Sequence, residues 1–433
     1  MSKAASNPAL PSYEQAAALV ATYAAQLRKA RLSSERVELD MASGRVLAQP
    51  LTADRDQPPF PRSTRDGFAC RAAEASKHKF LNLAGSSRAG QAPAGPLPKG
   101  AAWEIMTGAS VPAGADAVMM VEHVAVLGQQ VRLLPPRAVK PGENVVLQGA
   151  QAREGDELLP AGTAIHAAQI ALAATCGHSA LQVFSRPRVA ILTTGDELVP
   201  IESSPGPSQI RNSNAPMLAA LVSAAGAEPW VLPTAADTAD ALDAALAEAV
   251  KADLLLISGG VSAGKFDLVE PALARIGARF HFTGVRIQPG KPLVFGDLPA
   301  ELSRSHAGPN QNQNGAKCCF FGLPGNPVSS AVTFLLFAAP VLSALAGSLG
   351  SGPRFVLARL AADTDKHGKP GLTRFLPASC TFGAAVGRLP EVELVPWQGS
   401  GDLAALARSN CFLVVPEEAH SLETGSIVRI LLP

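Results

Sequence analysis

Apolar and polar positions follow two different rhythms along this chain. Between residues 188 and 347, short contiguous apolar runs alternate with longer stretches at helical spacing. The runs predict buried strands over 189–192, 229–232, 254–258, 280–287, 293–295 and 318–322. The stretches between them predict helices over 214–225, 238–250 and 268–276, and a long helix starting at Pro327. Strands and helices alternating at this length indicate βαβ units and a mainly parallel sheet. Residues 303–317 interrupt the pattern; rich in Asn, Gln, Gly and Ser, they read as a mobile surface insertion.

The flanks have a shorter rhythm. Residues 13–30 are alanine-rich and read as a helix, with Ser12 and Gln15 placed as a capping box. From 51 to 146 the chain breaks into short alternating runs, such as 117–126 and 130–134, punctuated by Gly and Pro, as in a β-rich insert. Residues 154–183 are mixed, with a helix near 167–176. After 351, strands are expected over 355–360, 392–395, 412–415 and 427–432, giving a small C-terminal β domain.

Composition narrows the function classes only a little. At 433 residues the chain has room for about three domains. With 37 Lys and Arg against 36 Asp and Glu, it lacks the basic bias of a general nucleic-acid binder. Residues 1–11 have no apolar core and do not resemble a signal peptide. The apolar stretch 331–345 is interrupted by Pro340 and falls short of the ~20 residues a bilayer requires. The six cysteines form no Cys-x-x-Cys pair and no zinc-ligand spacing, so they read as buried thiols in a reducing cytosol. Cys318 and Cys319 lie in an apolar run and read as strand core.

Several loops carry candidate chemistry. Leu192-Thr193-Thr194-Gly195-Asp196-Glu197 follows a strand, which puts its two acids where open α/β sheets bind ligands. Two adjacent carboxylates suit a divalent cation or a phosphate-bound Mg²⁺, and equally a polar turn. Ser258-Gly259-Gly260-Val261-Ser262-Ala263-Gly264-Lys265-Phe266-Asp267 runs from a buried strand through a glycine-rich loop towards a helix. That layout suits a phosphate-type anion, with Asp267 either capping the helix or binding a metal ion. In Gly322-Leu323-Pro324-Gly325-Asn326-Pro327-Val328-Ser329, Asn326 is placed as N-cap and Pro327 at the first helical position. The N–H groups of Val328 and Ser329 are then expected to be free at the helix end. Gln288-Pro289-Gly290-Lys291-Pro292 is a stiff loop presenting Lys291. In the N-terminal half, Ser63-Thr64-Arg65-Asp66-Gly67-Phe68-Ala69 and Met106-Thr107-Gly108-Ala109 read as loops. No Ser-His-Asp pattern and no zinc-protease histidine pair is present.

These segments, taken in order over about residues 12–433, resemble the molybdopterin molybdotransferase family, the MoeA type related to the gephyrin E domain. The resemblance implies a multidomain α/β plus β fold with four regions. Residues 8–51 and 148–187 would form an elongated discontinuous N-terminal domain, and 52–147 a β-rich insert. Residues 188–347 would form the molybdopterin-binding α/β domain, and 352–433 a C-terminal β-barrel. It implies a cytoplasmic homodimer that inserts molybdate into adenylylated molybdopterin, with Mg²⁺, releasing AMP. Glu197, Asp237 and Asp267 would handle Mg²⁺ or anhydride cleavage, and Asp66 would act with them. Thr107, Gly195, Gly259, Gly260, Ser262, Lys291, Pro324, Asn326, Pro327, Ser329 and Ser400 would contact substrate or molybdate. Asp66 and Thr107 would approach from the partner chain. An adenylyltransferase and a molybdoenzyme or its chaperone are the implied partners, with neither nucleic acid nor membrane.

The chain departs from the family pattern at charged positions. Arg65 replaces a usual Met, Gln151 an expected acid and Gln288 a frequent Lys. The only arginine near a C-terminal family position is Arg374, one or two places displaced. These changes leave an alternative open: a catalytically altered paralogue acting as a molybdopterin-binding scaffold.

Overall fold

A computed structural model describes residues 10–29, 32–260, 268–299, 318–350, 352–364, 371–383 and 388–433. The insertion at 303–317 lies outside the described residues. Contacts divide the chain into two compact units: Met1–Ala48 with Gly162–His166 and Leu181–Pro433, and Gln49–Ala161 with Ala167–Ala180.

In the first unit, six strands form a sheet in the order Glu228–Val231, Arg188–Thr193, Leu254–Ser258, Cys319–Leu323, Val294–Asp297, Arg279–Phe282. The first four are parallel. The last two are antiparallel, which makes the sheet mixed at one edge. A parallel pair needs a crossover, usually a helix. Between Arg279–Phe282 and Val294–Asp297 there is none, so that pair turns back on itself.

Strict alternation sends side chains to both faces of this sheet. Val189, Ile191, Leu254, Leu256, Cys319, Phe321 and Leu323 join one core with Tyr13, Val20, Leu218, Val222 and the helical run after Pro327. Ala190, Leu192, Leu255, Ile257, Cys318 and Phe320 join a second core with Leu242, Leu246, Ala249 and Leu273. Burial on both faces explains the nearly continuous apolar runs. Each fully buried Leu or Phe contributes about 1.5–3 kcal/mol of transfer free energy. The N-terminal helix Tyr13–Lys29 lies on the first core. Its capping box forms: Ser12 N–H donates to Gln15 Oε1 at 2.9 Å, and Gln15 N–H to Ser12 Oγ at 3.2 Å.

Pro327–Leu345 runs as one helical rod of 19 residues, long and apolar enough by itself to cross a membrane. It is instead a core helix, 83% buried over its most apolar window. Pro340 cannot donate to Leu336, and the rod widens to a π-turn over Phe334–Ala338 just before it.

Arg354–Leu360, Thr373–Thr381, Glu391–Leu394, Cys411–Val415 and Ile427–Leu432 close on one another as a five-stranded barrel. No strand is expected over Thr373–Thr381 from the sequence, because Pro377 interrupts its apolar pattern. The expected strand 280–287 is also two pieces. Arg279–Phe282 stays in the central sheet, whereas Ile287–Gln288 pairs with Thr373 and Arg374 at the barrel.

The second unit holds a six-stranded sheet in the order Ala117–Met120, Gly67–Cys70, Ala101–Ile105, Leu81–Ser87, Gln130–Leu133, Val124–Leu127. The expected single run 117–126 is split by a 3-10 turn, Val121–His123. The turn carries the chain from one edge of the sheet to the other.

Candidate active site

The parallel strands end side by side, and their loops remain in register beyond the ladder. Thr194 N–H donates to Ser258 O at 3.1 Å, and Gly259 N–H to Leu323 O at 3.3 Å. Gly259 and Gly260 adopt φ values of +99° and +61°. A Cβ on Gly259 would lie 2.6 Å from Thr194 O, and one on Gly260 2.9 Å from Val269 Cγ2. Only glycine fits this turn, where the backbone is tucked between two neighbours.

The acidic side chains lie on the loops at this edge. Asp237 N–H donates to Asp196 Oδ1 at 3.0 Å, and Asp196 N–H to Asp237 Oδ2 at 3.4 Å. This reciprocal latch joins the loop after Arg188–Thr193 to the loop after Glu228–Val231, with both carboxylates exposed. Glu197 folds back over Gly195: a Cβ there would meet the two Glu197 carboxylate oxygens at 2.5 and 2.7 Å. Among the described residues, no three His, Cys, Asp or Glu side chains form a metal-binding group. Of the expected trio Glu197, Asp237 and Asp267, the last lies outside the described residues, as does Ser262.

The helix start at Pro327 differs from the expectation in two respects. Asn326 holds the N-cap position, but its side chain makes no cap bond. Its Nδ2 instead donates to Ser400 Oγ at 2.8 Å. The Val328 N–H is not free, since it donates to Ser400 O at 3.1 Å. The barrel loop at Ser400 is thus fastened to this helix end by two bonds. Pro324 and Ser329 are buried, and Ser330 Oγ donates to Pro324 O at 2.5 Å. Lys291 is exposed on a loop beside the same helix, since a Cβ on Gly290 would lie 2.6 Å from Thr333 Cγ2.

Sequence reasoning missed a group of neutral polar side chains beneath these loops. Asn214 Nδ2 donates to Ser258 Oγ at 2.9 Å and to Gly325 O at 2.5 Å. Asn212 Nδ2 donates to Thr193 Oγ1 at 2.8 Å and Thr234 Oγ1 at 3.1 Å, while its Oδ1 accepts from Ala215 N–H at 3.1 Å. The signal was the Asn-Ser-Asn run at the start of a helix. Read as a cap, it conceals the cross-loop bonds.

In the second unit, Asp66 and Thr107 come together across 41 residues of sequence. Thr107 N–H and Oγ1 both donate to Asp66 Oδ1, at 2.6 and 2.8 Å. The Thr107 backbone bond, then its hydroxyl, hold the Asp66 carboxyl below its ordinary value.

Comparison with known proteins agrees with this architecture. The chain matches the MoeA N-terminal region (domain I and II) over residues 11–177. It matches a probable molybdopterin binding domain over 190–344 and the MoeA C-terminal region (domain IV) over 358–432. It is 35% identical to a molybdopterin molybdenumtransferase of Nostoc over 92% of this chain and 88% of the relative. A molybdopterin molybdenumtransferase of Bacillus subtilis is 33% identical over 92% of this chain and 90% of the relative. The chain belongs to the molybdopterin molybdenumtransferase family. A crystal structure of the molybdopterin biosynthesis MoeA protein from Pyrococcus horikoshii superposes with a TM-score of 0.77 at 27% identity, covering 98% of this chain and 100% of that one. As a member of the molybdenumtransferase family, the protein is a transferase of molybdenum cofactor biosynthesis.

The structure also places the departures from the family pattern. Arg374 is turned into the barrel rather than presented to solvent. It is 5% exposed, and its guanidinium donates to Ala419 O at 3.1 Å and His420 O at 2.7 Å. It therefore belongs to the barrel's own bonding. Gln288 is exposed on the short strand paired with Arg374. Gln151 and Arg65 have exposed side chains in the second unit.

Proposed function

We propose that the protein transfers molybdate onto adenylylated molybdopterin with release of AMP, at the carboxyl edge of the central sheet. The observation that carries this reading is the convergence there of three kinds of group. They are the glycine turn at Gly259 and Gly260, the carboxylates of Asp196, Glu197 and Asp237, and the Asn326–Ser400 junction. The glycines allow a phosphate to approach the backbone closely. Exposed Lys291 offsets anionic charge beside the helix at Pro327. Pro324 and Pro327 stiffen that loop, and Asn326, Ser329 and Ser400 offer polar atoms to the substrate. Gly195 leaves the space over which Glu197 folds.

The residues present fit Mg²⁺. Their donor set is carboxylate oxygen, and Mg²⁺ usually binds one or two carboxylates while keeping waters and substrate phosphate oxygens. Glu197 and Asp237 would hold it, with Asp267 as the third member. When bound, it would neutralise the phosphoanhydride charge. Asp196 holds the Asp237 loop by accepting its N–H.

Four regions are proposed with this function: 8–51 with 148–187, 52–147, 188–347 and 352–433. A cytoplasmic homodimer is proposed too, in which the second chain supplies Asp66 and Thr107. An adenylyltransferase delivers the substrate, and a molybdoenzyme or its chaperone receives the product. The test is an anaerobic single-turnover assay with adenylylated molybdopterin, Mg²⁺ and molybdate. Molybdate-dependent AMP release with molybdenum retained on the pterin is expected, falling at least tenfold in Asp237→Asn. Tight pterin binding without either product overturns the transferase reading and favours the scaffold.

A further inference from the structure

We propose that Thr194 and Asn214 are substrate-recognition residues, their side-chain oxygens bonding an N–H or O–H group that lies beside the substrate's anionic part. The inference deepens the proposed function and rests on it. Its starting point is a bonding deficit. A buried polar atom without a partner is uncommon in a folded protein and calls for a physical reason. Among the described residues, the neutral side-chain oxygens in this state are Thr194 Oγ1, Asn214 Oδ1 and Thr373 Oγ1. The first two flank the same residue. Thr194 N–H donates to Ser258 O, and Asn214 Nδ2 donates to Ser258 Oγ. Both deficits therefore fall at the strand end that precedes Gly259 and Gly260.

The orientation of Asn214 is fixed by its donors. Its Nδ2 reaches the Gly325 carbonyl at 2.5 Å, where an exchanged Oδ1 would set acceptor against acceptor. The orphan atom is thus an acceptor and requires a donor. A bridging phosphoanhydride or a molybdate oxyanion carries none at neutral pH. A pterin edge and a ribose or adenine both supply N–H or O–H groups next to a phosphate. Thr194 is 6% exposed, and its Oγ1 would lie 3.1 Å from a Cβ on Gly259 and 3.0 Å from one on Gly260. The two glycines keep alkyl groups away from this hydroxyl, which can then give or accept a bond.

A structural role and a recognition role make opposite predictions. An orphaned hydroxyl destabilises the free protein, and an apolar isostere removes that deficit. Thr194→Val is therefore expected to leave the melting temperature unchanged or raise it by about 1–3 °C. The same change should weaken ligand binding about 3- to 10-fold through loss of one hydrogen bond. Thr373→Val, at the barrel, is the control: it should act in the same direction on melting and leave binding unchanged. Asn214→Ala should weaken binding at least as much as Thr194→Val, with some loss of stability because two loop bonds go with it.

The measurement is anaerobic calorimetric titration of each variant with molybdopterin and, separately, with AMP, beside thermal unfolding. Loss confined to molybdopterin assigns the donor to the pterin part; loss confined to AMP assigns it to the nucleoside. Wild-type affinity in Thr194→Val, or a lowered melting temperature with affinity retained, overturns the inference. Wild-type protein that binds neither probe overturns the substrate reading itself, and this inference with it.

Discussion

The carboxyl edge of the central sheet and the C-terminal barrel both rest on strands with buried apolar faces, and they finish their hydrogen bonding differently. The barrel closes on itself, so each of its five strands has two neighbours. Its buried arginine, Arg374, is spent on the carbonyls of Ala419 and His420. The sheet stays open at its strand ends. There the glycine turn excludes side chains, the acids face solvent, and Thr194 Oγ1 and Asn214 Oδ1 have no partner among the described residues. The barrel also leaves one buried hydroxyl, Thr373 Oγ1, unpaired, but among the described residues only the sheet end gathers two such oxygens around one residue, Ser258, beside an open glycine turn.

Three changes would break or sharpen this contrast. The largest effect belongs to the barrel core. Leu413 is fully buried there, and Leu413→Ala should cost about 2–5 kcal/mol in urea unfolding. Protein that remains folded should keep its ligand affinity; an affinity loss matching the stability loss would mean the regions are not functionally distinct.

A medium effect separates two glycines of similar backbone. Gly425 has φ +82° with nothing within 4 Å of its missing Cβ, so Gly425→Ala should cost about 1–2 kcal/mol from the left-handed conformation. Gly259→Ala adds a contact of 2.6 Å with the Thr194 carbonyl. It should cost about 1–3 kcal/mol more, from the backbone shift needed, and abolish ligand binding. Equal costs, with binding kept in both, would remove the close-packed turn from the account of the site.

The smallest effect is a titration in the second unit. Asp66 has a folded pKa lowered from its ordinary 3.8 by the two Thr107 bonds. A depressed acid contributes stability above its unfolded pKa and loses it as pH falls through the folded value. The contribution is therefore present at neutral pH and lost only below about 4. In Thr107→Ala, carboxyl-detected NMR should show the Asp66 pKa moving up towards 3.8. No movement would mean that the Thr107 hydroxyl bond does not hold in solution, since the backbone N–H bond survives the substitution.

Much of the fold was legible because burial leaves a one-dimensional trace. A strand covered on both faces must be apolar at nearly every position, so 254–258 could be read to the residue; 427–432, which buries alternate positions, was legible from its run of β-branched and apolar residues near the chain's end. Thr373–Thr381 could not, since Pro377 looks like a break unless the neighbouring strands are known. The candidate site was half legible. Gly259, Gly260, Asp196 and Glu197 stand in compact local motifs that a turn or a helix start requires. Asn214 stands in an Asn-Ser-Asn run that reads as the start of a helix, so its bonds to Ser258 and Gly325 leave no separate local trace.

What the sequence alone determined here is therefore local and additive. It set which segments are strands or helices, where glycine must turn the chain, and which loops carry acids. The tertiary structure decided what depends on two distant segments meeting. It set Asp237 against Asp196, Asn326 and Val328 on Ser400, Ile287 on the barrel, and Asn214 between Ser258 and Gly325. The physical reason is that a polar side chain can satisfy itself with any suitable partner. Its residue type states that a bond is needed, and only the packed fold selects which atom makes it.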